Sequence, residues 1–221
     1  MKTVYRIVSA LLLISLLSLC FTACGPKKTP PPDLESVREE LIERIENSKE
    51  INEIFWGEGL PVIPIGSELA EELGLYSEYN ITTTDDLGLW EYVDTQKTKH
   101  FTFGKIKELA ESAYSLSFLK SVYVSQLEGI YDSVSGSMLL PHYYEDDFGL
   151  WRNVNSAKEF GSIENMRVFD YSTIKMDVEK SSGERIYIIL DAHYENDDSV
   201  FSSTLAFDKQ GDGWYLAGPS Y

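Results

Sequence analysis

The chain has 221 residues, 43% hydrophobic and 13% aromatic, which allows one medium domain or two small ones with a real core and excludes a disordered chain. It carries 36 acidic against 19 basic side chains, a formal charge of −17. Such a surface repels nucleic acid and anionic headgroups and suits basic proteins or cationic surfaces, although solubility alone also accounts for it. Cys20 and Cys24 are the only cysteines, both at the end of the first apolar run, so the body holds no disulfide framework, thiolate nucleophile or cysteine-bound zinc.

Lys2 and Arg6 form a positive start, residues 7–19 are apolar, and Phe21-Thr22-Ala23-Cys24-Gly25 follows. These are the three parts of a secretory signal. The ending resembles the lipobox of bacterial lipoproteins, with Ala23 and Cys24 matching and Phe21 standing where leucine is usual. The resemblance implies removal of residues 1–23 and attachment of diacylglycerol and palmitate-type chains to Cys24. The chain is then lipid-anchored on the outer, extracytoplasmic face of the cell membrane. The competing interpretation is an uncleaved span over residues 7–23, at the lower limit of roughly 17–25 residues. Without residues 1–23 the balance is 17 basic against 36 acidic, or −19. Residues 24–33 make the lipidated cysteine and a proline-rich tether, whose nine residues 25–33 reach up to about 28 Å in polyproline II geometry.

The body, residues 34–221, is expected to be a single α+β domain, helical to about residue 128 and mainly strands after it. Leu34, Val37, Leu41 and Ile45 recur at helical spacing, so the first helix covers residues 34–55 with Asp33 as N-cap. Gly57, Gly59 and Pro61 stop it. Pro61 and Pro64 bracket a short apolar run, and residues 67–73 make one or two helical turns closed by Gly74. A strand is expected at 89–93 before a turn-rich 94–99. A second helix covers 102–113, and a third holds Phe118, Leu119, Val122 and Tyr123 with Ser117 as cap. Ile174, Met176 and Val178 alternate with polar residues, as do Ile186, Ile188, Leu190, Ala192 and Tyr194. Residues 195–199 form an acidic turn, 201–207 a strand, 210–213 a hairpin turn, and 214–217 the last strand. Helices first and an antiparallel meander last give an α+β fold.

Chemistry-bearing patterns are few. His100, His142 and His193 have no partner at ligand spacing, so neither metal nor cofactor is expected. No GxSxG, P-loop or GxGxxG occurs. Asp85-Asp86, Asp146-Asp147 and Asp197-Asp198 are acid pairs that polar loops ordinarily expose to water. Asp208 to Gly213 has the start of a calcium loop, but Pro219 stands where the bidentate acid belongs. Trp56, Trp90, Trp151 and Trp214 are taken as core closures. One tract differs. Tyr143, Tyr144, Glu145, Asp146, Asp147 and Phe148 combine aromatics with acids in an expected loop, a composition suited to partner binding. Glu195, Asp197 and Asp198 form a second candidate loop.

The layout of residues 34–221 resembles the secreted DL-endopeptidase inhibitors of Gram-positive bacteria, the IseA type. A first helix ends in Phe55-Trp56, a Trp/Tyr strand at 89–94 precedes the helix at 102–113, a Tyr-Ser step opens a short helix at 114–123, and antiparallel strands end in Gly-Trp-Tyr-Leu at 213–216. The proline-containing stretch 60–66 and the lipid anchor depart from that family. The resemblance implies a non-catalytic, monomeric inhibitor of cell-wall DL-endopeptidases of the NlpC/P60 type, acting by protein binding. The last strands also resemble cystatin-like and NTF2-like lipoproteins, which implies the alternative of a binding module for a small ligand or another envelope protein.

Overall fold

A computed structural model describes residues 29–76, 90–132, 137–153 and 166–221; for 131–132 and 137–139 it describes the backbone only. Cys24 and the pair Asp85-Asp86 lie outside the described residues. Among the described residues no helix is long and apolar enough to cross a membrane.

The long helix α1, Leu34–Trp56, buries Val37, Leu41, Ile45, Ser48, Ile51, Asn52, Ile54 and Phe55 along one stripe. Asp33 occupies its N-cap position, but its side chain caps nothing; the Ser36 hydroxyl donates to the Asp33 carbonyl instead. Gly57 ends the helix, donating to the Asn52 and Glu53 carbonyls. Next come β1, Val62–Ile63; α2, Glu68–Glu72, capped by the Ser67 hydroxyl; and β2, Trp90–Val93. Helix α3, Phe103–Ala113, starts on the Thr102 hydroxyl, which accepts from the Lys105 amide. The expected cap of the next helix is corrected. Ser115, not Ser117, has extended backbone and accepts from the Phe118 amide, so α4 is Leu116–Tyr123. Ser117 lies inside the first turn and donates to Asp208. A π-helical turn, Val124–Glu128, follows.

Strands then dominate: β3, Ile130–Asp132; β4, Ser137–Leu139; β5, Tyr143–Asp146; β6, Gly149–Asn153; β7, Arg167–Met176; β8, Arg185–Tyr194; β9, Asp197–Gln210; and β10, Gly213–Leu216. Among the described residues, β3 and β4 pair only with each other, and the other eight strands form two four-stranded sheets.

The larger sheet is an antiparallel meander, ordered β10-β9-β8-β7. Period two puts Ile186, Ile188 and Leu190 on one face of β8, opposite Phe207, Leu205 and Ser203 of β9. Phe207 in turn faces Leu216 of β10. That face joins α1, α3 and α4 in one hydrophobic core. Each fully buried side chain there stabilises by roughly 1.5–3 kcal/mol. Strand β7 ends at Met176, where the Asp177 amide makes a last bond to the Tyr187 carbonyl, so Val178 is left exposed. The acidic turn is also shorter than expected: Glu195 and Asn196 make it, and Asp197 already opens β9.

The smaller sheet, ordered β1-β2-β6-β5, was not foreseen from the sequence. Its strands have two to five residues and come from distant points of the chain. Together with the meander and the helices it gives the expected α+β class, helices first and an antiparallel meander last.

Candidate functional site

Residues 143–148 form a hairpin rather than a loop. Tyr143 pairs with Arg152, Tyr144 with Trp151, Glu145 with Leu150 and Asp146 with Gly149, leaving Asp147 and Phe148 as a two-residue turn. Gly149 has φ +142°, and a Cβ there would lie 2.6 Å from the Tyr92 hydroxyl. Glycine thus permits both the turn and the close approach of that ring. The Tyr92 hydroxyl donates to the Phe148 carbonyl at 3.1 Å, fastening the tip to β2.

Two acids of the tract, Asp146 and Glu145, are structural. Asp146 Oδ1 accepts from the Phe148 amide at 2.9 Å and from the Gly149 amide and Trp151 Nε1 at 3.1 Å. Glu145 Oε2 accepts from the Phe103 amide at 3.0 Å, covering an orphan donor of α3 and placing negative charge at that helix's N-terminus. Tyr143 is fully buried. Its hydroxyl donates to the Ile54 carbonyl and accepts from the Leu60 amide, both at 2.9 Å, and burial pushes its pKa up. Tyr143 therefore cannot touch a partner, which corrects its place among the candidate contacts. Tyr144, Asp147 and Phe148 remain on the surface, with Tyr144 at 49% and Phe148 at 57% exposure.

Alternation explains the division. Tyr143, Glu145, Leu150, Arg152 and Val93 point to the helices, and Arg152 Nη1 donates to the Glu58 and Leu60 carbonyls. The opposite face carries a row running from Ile63 through Tyr92 and Trp151 to Tyr144. Tyr92 and Trp151 meet edge to face with centroids 5.1 Å apart, Tyr76 meets Trp151 at 5.9 Å, and Trp90 meets Tyr144 at 5.9 Å. Trp151 is only 3% exposed, yet it lies outside the main core. The row thus passes from a buried indole to an exposed phenol at the sheet edge, with Phe148 beyond it. Phe101, two residues before the amide that Glu145 caps, is also exposed.

Sequence reasoning misses this row because a tryptophan at an element end, such as Trp90 or Trp151, reads as core closure. The available signal was Trp90-x-Tyr92, which puts two aromatics on one strand face.

A search finds no protein-family model that matches the chain, and no curated protein matches it.

The second candidate, Glu195, Asp197 and Asp198, is exposed. The Asp197 carboxylate accepts from the Ser199 amide at 2.9 Å, which holds it below the usual carboxylate range. Tyr194 and Phe201 pair beside this turn, with centroids 5.0 Å apart.

The histidines are dispersed. His100 Nε2 lies 2.9 Å from Glu50, and His142 Nδ1 lies 3.1 Å from Gln126 with its ring stacked on Tyr143. His193 pairs opposite Val168 in the meander. Among the described residues no three His, Cys, Asp or Glu side chains group as metal ligands would. What the hairpin offers chemically is aromatic contact area on a braced support. Exposed Tyr and Phe bring large area with few rotatable bonds, the makings of an interface anchor.

Proposed function

We propose that the chain is an extracytoplasmic lipoprotein, anchored through Cys24, whose domain binds a cell-wall DL-endopeptidase of the NlpC/P60 type and inhibits it without catalysis. The observation that carries this reading is the aromatic tip, where Tyr144 and Phe148 stand exposed on a hairpin fixed by Asp146, Glu145 and Tyr92. A rigid aromatic anchor loses little entropy on docking, and such anchors dominate dissociation rates. The IseA-like layout supplies the partner class. The acidity of the chain speeds association with a basic partner, and salt screens that effect.

The test is inhibition of a purified NlpC/P60-type endopeptidase by the full chain in detergent micelles. Replacing both Tyr144 and Phe148 by Ala should weaken inhibition by about 2–4 kcal/mol if both are buried on docking. Asp147→Asn should mainly slow association. Absence of inhibition at roughly micromolar protein rejects the inhibitor reading for the enzyme tested. Inhibition untouched by the double substitution keeps the function and discards the hairpin. The anchor is tested separately: Cys24→Ser should abolish incorporation of a fatty-acid analogue, and persistent labelling would remove Cys24 as the acceptor.

A further inference from the structure

A cavity of about 240 Å³ lies between α1 and the start of β7. It is smaller than the roughly 300–1,000 Å³ pockets of drug-sized ligands, so it suits a small molecule. Ile45, Val168 and Phe169 give it an apolar wall. Ser48, Asn52 and Ser220 also line it, and all three are buried. They are bonded to one another, Ser48 to Ser220 at 2.6 Å and Asn52 to Ser220 at 2.9 Å, which makes a firm polar floor.

Its charged lining residues among those described are Lys49, Glu53, Arg167 and Glu195, which sum to zero in a chain of net charge −17. Two are committed: Lys49 is bridged to Glu46 at 2.7 Å, and Glu53 accepts from the Glu58 amide at 2.8 Å. The other two have bonding capacity left. Arg167 Nε is buried without a hydrogen-bond partner, while the guanidinium donates to the Ser203 hydroxyl at 3.4 Å and lies 5.9 Å from the centre of the Phe201 ring. Glu195 forms none of the ion pairs found among the described residues. Both line the cavity, and pairing of β7 with β8 brings their backbones to neighbouring positions, since Arg167 faces Tyr194 and the Glu195 amide donates to the Met166 carbonyl. A buried guanidinium N–H with no acceptor marks a place where an acceptor belongs.

We propose that this cavity binds a free α-amino acid with an apolar side chain, its carboxylate on Arg167, its ammonium toward Glu195 and its side chain against Ile45, Val168 and Phe169. A simple anion would satisfy Arg167 and meet the charge of Glu195 unbalanced. A simple amine would do the reverse. The zwitterion pairs both, and the apolar wall selects the side chain. This site is separate from the hairpin and does not depend on the inhibitor reading.

The test is a ¹⁵N-NMR titration of the full chain in detergent micelles with L-leucine as probe. Saturable shifts are expected at Ser48, Asn52, Val168 and Phe169. 4-Methylpentanoate, which lacks the ammonium, and 3-methylbutylamine, which lacks the carboxylate, should each bind about tenfold more weakly or worse. Arg167→Gln should weaken leucine by a similar factor, and Glu195→Gln should weaken leucine while leaving 4-methylpentanoate no weaker. Ala at both Tyr144 and Phe148 should leave leucine binding intact. Lack of saturation at several millimolar leucine overturns the proposal, as does equal affinity for 4-methylpentanoate. Both of those results come from the unmodified chain, so a variant that fails to fold does not shield the proposal.

Discussion

The meander β7–β10 uses strands of 4 to 14 residues that follow one another in the chain, whereas the small sheet gathers strands of two to five residues from positions 62 to 153. The meander buries one continuous aliphatic and aromatic face against the helices, and its cohesion scales with area. The small sheet is too short for that. It is tied by side chains to backbone: Tyr143 to Ile54 and Leu60, Arg152 to Glu58 and Leu60, Tyr76 to Ile63 and Tyr92, and Tyr92 to Phe148. Area burial resists point changes outside the core, while a sheet held by individual polar ties yields one tie at a time. The second kind of construction also leaves one face available for an aromatic rim.

Three experiments sharpen or break this contrast, in order of expected effect. Phe207 is fully buried at the centre of the meander. Phe207→Ala should cost about 3–5 kcal/mol and unfold the whole domain earlier in urea. A loss under about 1 kcal/mol, the scale of an ordinary surface change, would show that the meander is not the main source of stability.

Acid comes second and should act on the small sheet. His142 precedes β5, and its carbonyl accepts from the Asn153 amide at 2.8 Å. Burial, with the positive charge of Arg152 adding to it, lowers its pKa from 6.5 to about 4, while a hydrogen bond to the Phe55 backbone opposes the shift. As pH falls, the unfolded chain takes the proton first. The stabilisation is therefore complete above pH 6.5 and is lost on the way down to about pH 4, amounting to about 3 kcal/mol. Carboxylates with lowered pKa, such as Asp94, release their share only in a more acidic range. Denaturant melts from pH 7 to 4 should show the loss, and His142→Leu should flatten it. An unchanged slope in that variant would assign the acid sensitivity elsewhere.

The mildest change is Tyr143→Phe, which keeps the ring but leaves the Leu60 amide without its acceptor. It should cost about 1–3 kcal/mol. Hydrogen exchange should speed at Leu60 and along β5 before it changes in β8, and uniform acceleration across both sheets would contradict the contrast.

Much of the meander was legible in the sequence because its alternation is long and its partners are adjacent. Ile186, Ile188 and Leu190 announce their shared face, and Gln210 to Gly213 announces a hairpin. Helix α1 was legible within a residue at its end, since Val37, Leu41 and Ile45 keep strict spacing. The small sheet was not, because Val62–Ile63 is too short to show a period and its partner begins 28 positions later at Trp90. The candidate tract 143–148 was found by composition, but composition does not say which side of a strand faces out. Register made Tyr143 core and left Tyr144 in water. The nearness of Arg167 and Glu195 had no sequence signal, since it comes from the pairing of β7 with β8 alone.

The polar floor under α1 bears on how the chain is made. Ser48 and Asn52 sit on the buried stripe of the first helix, and their partner, Ser220, lies 168 positions after Asn52. At roughly 5–20 residues per second, the ribosome delivers that partner about ten to thirty seconds after the helix is complete. Through that interval the Ser48 hydroxyl rests on the Ile45 carbonyl of its own helix and Asn52 Oδ1 can take the Tyr114 hydroxyl, but the Asn52 amide donor lacks Ser220 and must stay in water or be buried unpaired. One small hydroxyl made late therefore completes the burial of Asn52.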